Sequence, residues 1–360
     1  MNFSNESFVT NATSAPVPSP TSAPVPSPTS APVPSPTSSP AVPAVIAAVA
    51  ALTIAGNLVV IVATAKRQTF PAASRLFVFS MAWSDLFVGL TSPFMVAPAT
   101  AGEWVYSDTA VQTFGVIGMS STTITYSSLA GLNLDRYHAV LNNGEGVSHK
   151  NARIFLISTW AGIYAFYIFC EAYAVPFDFD RIMALPTCDL KAHIWFTTVT
   201  MVIMSVALVV TTYCVVRVLK AVCTPPQPPA APVIHINMNG PAGVPPQNAN
   251  NPEQQPPAAP HYHGEGSCVK AVLILTLAQT ALPLPFFCTL VAHHVGYELP
   301  TALFWTMWVA LSNNFLDVVV HSAFHKSFRK SVVEIARSTV SGLYNVCYSR
   351  NGVNVDQQGT

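Results

Sequence analysis

In a chain that otherwise avoids charge, "GLNLDRYHAV" sets an acid beside a base, Asp135 and Arg136, with Tyr137 next. Such neighbours can pair with each other and keep the guanidinium in reserve until another acceptor competes for it. Glu265, just before the sixth apolar run, is a second candidate partner for Arg136. Two more carboxylates lie inside apolar runs: Asp85 in "SMAWSDLFVGL" and Asp317 in "LSNNFLDVVVH", the latter preceded by Asn313 and Asn314. A carboxylate in apolar surroundings needs a cation, a proton or water. Asp85 and Asp317 are therefore expected to share a small hydrated cavity with Asn313 and Thr125, holding a sodium ion or a proton. Without the cation, the acid pair would raise the pKa of one member. Asn57, in "IAGNLVV", either joins that cavity or only bonds to backbone as a packing residue.

The elements that must position these groups are apolar and long. Of 360 residues, 51% are hydrophobic and 9% charged, against roughly 25% charged in a soluble domain. Seven segments, at 42–65, 76–99, 111–134, 154–176, 193–216, 268–292 and 300–323, each reach the length that crosses a bilayer as a helix. Helix is required because lipid offers the backbone no hydrogen-bond partners. The expected fold is thus an all-α membrane protein, a seven-transmembrane helix bundle. After it, Phe324, Phe328, Val332 and Ile335 repeat at helical spacing opposite Lys326, Arg329 and Lys330. That pattern predicts a short amphipathic eighth helix on the anionic inner leaflet.

Seven crossings put the two ends of the chain on opposite sides. With the amino end outside, fourteen of the sixteen Lys and Arg residues fall on the cytoplasmic side, and only Arg181 and Lys191 outside. That split follows the positive-inside rule. The zero net charge conceals it and carries no sign of nucleic-acid binding. Residues 1–41 form an extracellular tail with three glycosylation sequons, at Asn2, Asn5 and Asn11, followed by three copies of "SAPVPSPT". Residues 42–323 form the membrane domain, interrupted by a Pro/Asn/Gln-rich third cytoplasmic loop, 224–267, which cannot bury enough apolar surface to order itself. Residues 324–360 are the amphipathic helix and cytoplasmic tail. The expected location is the plasma membrane.

Seven cysteines make no framework; Cys170 and Cys188 could bridge in the oxidising compartment or remain thiols. No cofactor is expected beyond the sodium ion, and no converging nucleophiles or metal ligands suggest an enzyme. A transporter or channel is the main rival, though no internal repeat is visible and only the sixth segment, with Pro283 and Pro285, is interrupted by paired prolines. The Asp135–Arg136 pair, lying at a membrane boundary, is expected to be partly exposed and to contribute little to stability.

Over about 42–335 the chain resembles the rhodopsin-like G-protein-coupled receptors. The likeness is carried by Gly56–Asn57, "SMAWSDLFVGL", Gly102–Trp104, "LDRYHAV", Trp160, Tyr213, "LPLPFF" and "SNNFLDVVVHSAFHKSFRKS", in that order. It implies an extracellular ligand, a heterotrimeric G protein as partner, and release of Arg136 when the sixth helix swings outward. Several family features are missing. The third-helix cysteine falls at Val111, the sixth-helix tryptophan at Pro283, the fifth-helix proline at Ser205 and the last tyrosine at His321. Ligand-independent signalling or a silent decoy would both be consistent with these losses. Gly118 falls where amine receptors carry aspartate. "IFCEAYAVP" and "RIMALPTC" resemble prostanoid receptors more weakly, which suggests a lipid-like ligand, although the arginine used there falls at Trp308.

Overall fold

A computed structural model describes residues 40–66, 70–142, 144–189, 192–223, 265–324 and 326–352. The side chains of 265–269, 294, 317, 339 and 342–352 lie outside that description. So do Asn2, Asn5, Asn11, most of the expected third loop and the carboxylate of Asp317.

Seven helical spans follow one another. They are α1 (Ala41–Lys66), α2 (Ala72–Ala101, with a 3-10 turn at Ser92–Met95), α3 (Asp108–Leu141), α4 (His149–Tyr173) and α5 (Ile194–Cys223). Then come α6, in two pieces, Glu265–Ala281 and Leu284–Val295, and α7, in two pieces, Pro300–Leu311 and Leu316–Phe324. The break in α6 lies at Leu282–Pro283, where proline removes a helical donor and crowds the preceding turn. α6 already begins at Glu265, so the last residues of the expected loop are helical.

Five helices are long and apolar enough to cross a membrane, and α7 makes a sixth if its bent halves count as one. α3 fails that composition test because it carries a ladder of hydroxyls. It can do so because it is central, packing on α2, α4 and α5. Its hydroxyls also bond within their own helix, as Thr113 to the Thr109 carbonyl (2.7 Å), Thr123 to Met119 (2.8 Å) and Ser127 to Thr123 (2.8 Å). Each bond hides a polar group that lipid could not satisfy. Ser107 caps α3 and Ser148 caps α4, each accepting from a backbone N–H three residues on.

The remaining helix, α8 (Lys326–Gly352), has 27 residues, longer than the short helix expected. Phe328 is fully buried, and Val332 and Ile335 pack on the same cluster, whereas Phe324 is exposed. Arg329 turns back to donate to the Ser322 (3.1 Å) and Ala323 (2.6 Å) carbonyls, closing the end of α7.

The all-α expectation misses one element. Between α4 and α5, β1 (Asp178–Asp180) and β2 (Leu185–Thr187) pair antiparallel, Asp178 opposite Thr187 and Asp180 opposite Leu185. The turn is closed by Asp180, whose Oδ1 accepts from the Ile182 (2.7 Å) and Met183 (2.8 Å) amides. Ala184 takes the left-handed conformation there, φ 56°, which sets its methyl into the core beside Trp308 and Phe304.

Candidate functional site

A polar layer crosses the middle of the bundle. Thr125 on α3 donates to Asp85 Oδ1 at 2.7 Å and lies 2.7 Å from the Ser84 hydroxyl. Ser80 and Ser128 meet at 2.9 Å, and Trp160 donates to Ser80 at 2.8 Å, so α2, α3 and α4 are joined in one chain. Asn57 donates to the Thr53 carbonyl (2.9 Å) and, across the bundle, to the Asn314 carbonyl (2.7 Å). Asn313 donates to Gln279 of α6. Asp85 and Thr125, two of the four residues expected to share a cavity, thus meet, and Asn57 reaches α7 through backbone. Gln279 was not foreseen, because nothing in "TLAQTAL" marks it.

Above this layer, toward the hairpin, lies a cavity of about 580 Å³. Its floor carries Thr125, Asn313, Asn314, Gln279 and Pro283, and its rim Asp178, Asp180 and Asp189. The walls use five of the nine methionines: Met119, Met183, Met201, Met204 and Met307. Methionine is flexible and polarisable and fills irregular shapes. No lysine or arginine lines the cavity among the described residues.

The hairpin covers this cavity without a covalent tie to α3. Val111 occupies the expected cysteine position, and Cys170 and Cys188 are both free thiols. The neighbouring Gln112 holds the loop instead, its Nε2 donating to the Phe177 carbonyl (2.9 Å) while its Oε1 accepts from the Phe177 amide (2.8 Å). Phe177 lies so close over Gly115 that any Cβ there would collide with its ring. At the far side, Trp308 donates to the Met183 carbonyl at 3.0 Å. Trp104 packs against Phe179, ring centroids 5.7 Å apart. Burial pushes the Cys188 thiol up to about 11.

At the opposite end, Arg136 Nη2 donates to Asp135 Oδ2 at 2.7 Å. The pair is not partly exposed as expected; Arg136 is 4% and Asp135 1% accessible. Asp135 is held on three sides. Besides Arg136, its Oδ2 accepts from Ser74 of α2, and its Oδ1 from the Val147 amide at 2.9 Å. A Cβ at Gly146 would strike that Oδ1, so this loop position must stay small. Breaking a buried pair by removing one member typically costs about 3–5 kcal/mol. The surface estimate is therefore replaced by a larger one.

The side chain of Glu265 lies outside the described residues. Among the described residues, a polar link between α3 and α6 near this end is Asn133, whose Nδ2 donates to Thr276 Oγ1 at 2.9 Å, the Thr276 hydroxyl lying 3.2 Å from Asn133 Oδ1. Tyr213 on α5 faces Tyr137, ring centroids 5.8 Å apart. The second piece of α6 begins at Leu284, with Pro283 just before it and Pro285 in its first turn. His321 is buried between Phe70 (5.0 Å) and Phe328 (5.8 Å), joining α7 to α8. Among the described residues, no group of three or more His, Cys, Asp or Glu is placed to hold a metal ion.

Seven spans, a hairpin-covered cavity and a buried arginine at the other end define a membrane bundle of the receptor type. The seven-transmembrane receptor (rhodopsin family) pattern matches residues 56–320, and the chain belongs to that family. The crystal structure of squid rhodopsin superposes with a TM-score of 0.66 over 83% of this chain and 85% of that one, at 15% identity, a likeness of fold. A dopamine D2-like receptor of Drosophila melanogaster is 27% identical over 114 residues, covering 31% of this chain and 13% of that protein. An alpha-2B adrenergic receptor of Cavia porcellus is 31% identical over 124 residues, 33% and 28% of the two chains. The matched stretches thus span under a third of these curated relatives.

Proposed function

We propose that the protein is a G-protein-coupled receptor of the plasma membrane. A small ligand enters the cavity beneath the hairpin, and outward movement of the first piece of α6 frees Arg136 to engage a heterotrimeric G protein. The hairpin end is extracellular and the α8 end cytoplasmic, as the fourteen-to-two division of Lys and Arg supports. The amino tail, with Asn2, Asn5 and Asn11, is then glycosylated outside the cell.

The observation that carries this reading is the buried Arg136, held at 2.7 Å by Asp135 in a chain of this family. A cation kept out of water beside a partner that can be replaced is a switch element, because a competing acceptor shifts its equilibrium. The Asn133–Thr276 bond keeps α6 against α3 until then. The Asp85–Thr125 pair supports a sodium ion bound through oxygen ligands in the polar layer.

The test is GTP exchange on co-expressed G proteins. Arg136→Ala should reduce exchange to background while surface expression persists; exchange equal to the unchanged chain refutes the assignment. Run without ligand, the same assay separates a constitutive receptor from one that is ligand-gated or silent.

A further inference from the structure

The cavity has a chemical polarity that identifies the head group it accepts. Its rim carries three carboxylates, Asp178, Asp180 and Asp189, and its lining no lysine or arginine among the described residues. Asp180 accepts from the Ile182 and Met183 amides and Asp189 from the Ala192 amide, bonds that orient these acids. Arg181, on the hairpin turn, is not part of the lining. Field lines from like charges concentrate at the mouth of a low-dielectric cleft, so an approaching anion is repelled and a cation drawn in.

The floor adds an independent observation. Asn313 lines the cavity and is 4% accessible, its Nδ2 committed to Gln279, while its Oδ1 has no hydrogen-bond partner. A buried acceptor left without a donor is costly, and a ligand that brings an N–H or O–H relieves that cost. A carboxylate brings only acceptors and would set its oxygens against that carbonyl oxygen. Between rim and floor the walls are mostly methionine, leucine and phenylalanine, with Thr122, Thr123, Tyr126, Thr200 and His293 among them. The apolar majority suits an apolar body of adaptable shape.

We infer that the cavity selects an apolar small molecule headed by a hydrogen-bond donor, an amine or a hydroxyl, with that donor directed to Asn313 Oδ1, and that it rejects carboxylates. This rests on the reading of the cavity as the ligand site. It keeps the apolar body of the lipid-like ligand that two sequence stretches suggested and excludes a carboxylate head on it.

The experiment uses the full chain in uncharged phosphatidylcholine nanodiscs and three probes that share one skeleton: 4-phenylbutylamine, 4-phenylbutan-1-ol and 4-phenylbutyrate. Saturation-transfer NMR titrations give their affinities, with Met307→Trp, which fills the cavity, as the control for binding elsewhere. The amine and the alcohol should bind about tenfold more tightly than the carboxylate, the scale of one hydrogen bond to a buried group. Asn313→Leu, close in volume but without an acceptor, should remove most of that advantage. Asp178→Asn, at the exposed rim, should weaken the amine and leave the alcohol unchanged, which keeps the test open if Asn313→Leu fails to fold. Equal or tighter binding of 4-phenylbutyrate, abolished by Met307→Trp, overturns the inference and leaves the cavity as the ligand site. No saturable binding by any probe, or binding that Met307→Trp leaves intact, overturns both.

Discussion

At the scale of single residues, the contacts that hold the polar groups of the spans divide by how far apart in the chain they begin. The Asp135–Arg136 pair was visible in the sequence because its members are adjacent. Its other holders were not: Ser74 comes from α2, sixty-one residues earlier, and the Val147 amide from the loop after α3. Only the fold brings them to one carboxylate, and only the fold explains why Gly146 must lack a side chain. The same holds for Asp85, whose need for a partner was legible but whose bond to Thr125 required two helices in register. If Asp85 and Thr125 hold a sodium ion, the carboxylate supplies the charge and the hydroxyl only an oxygen. Asp85→Asn keeps an acceptor for Thr125 and removes the charge. The variant should therefore fold and lose any difference between responses measured in sodium and in N-methylglucamine chloride. A sodium dependence that survives the substitution excludes this pair as the ion's site.

At the scale of elements, apolar length located each span with ends displaced by up to seven residues, as at Leu141 and Cys223, because the helices run on past their apolar stretch. The proline pair located the break in α6 for an equally local reason. The hairpin was illegible: three residues per strand, "DFD" and "LPT", show no alternation long enough to read. What holds it is likewise non-local, the paired amide of Gln112 and the Trp308 bond to Met183. Cys188 reports on that hold. Burial raises its thiol to about 11 from an ordinary value of 9.0, so the folded loop favours the neutral form. The stabilisation this provides is complete below about pH 9 and is lost as pH rises through 11. In the unchanged protein, alkylation of the Cys188 peptide, followed by mass spectrometry, should stay slow at pH 8 and climb toward pH 11. Gln112→Ala should loosen the loop and speed the reaction at pH 8 severalfold, with the pH midpoint shifting down toward 9. An unchanged rate would show that Trp308 and the Phe177 packing suffice. The bond between α3 and α6 makes a matching prediction at the other end. Thr276→Val preserves shape and removes one net hydrogen bond, about 1 kcal/mol, so ligand-free exchange should rise by about fivefold. No rise would mean that another contact keeps α6 closed.

For the molecule as a whole, the informative contrast is between α3 and its neighbours. The 111–134 run is long enough to be read as a span, yet by mean hydropathy only five helices qualify, or six with α7, and α3 does not. It is the helix that carries Thr125, Asp135 and Arg136. A span surrounded by protein need not be apolar, since its hydroxyls find partners on facing helices or in its own preceding turn. The helix least like a membrane segment is for that reason the one that can host polar function, and its place in the bundle decides the parity of the count. With α3 crossing, there are seven spans and the chain ends lie on opposite faces; without it there are six and they share one. The basic residues favour the first arrangement, because fourteen of them then gather on the side of Arg136 and α8. An epitope at the amino end should therefore be stained on intact cells, and one at the carboxyl end only after permeabilisation. A tag placed in the 224–264 segment should behave like the carboxyl one. Staining of both ends on intact cells, or of neither, would remove α3 from the membrane. It would also leave Arg136 with no route from a ligand on one face to a partner on the other.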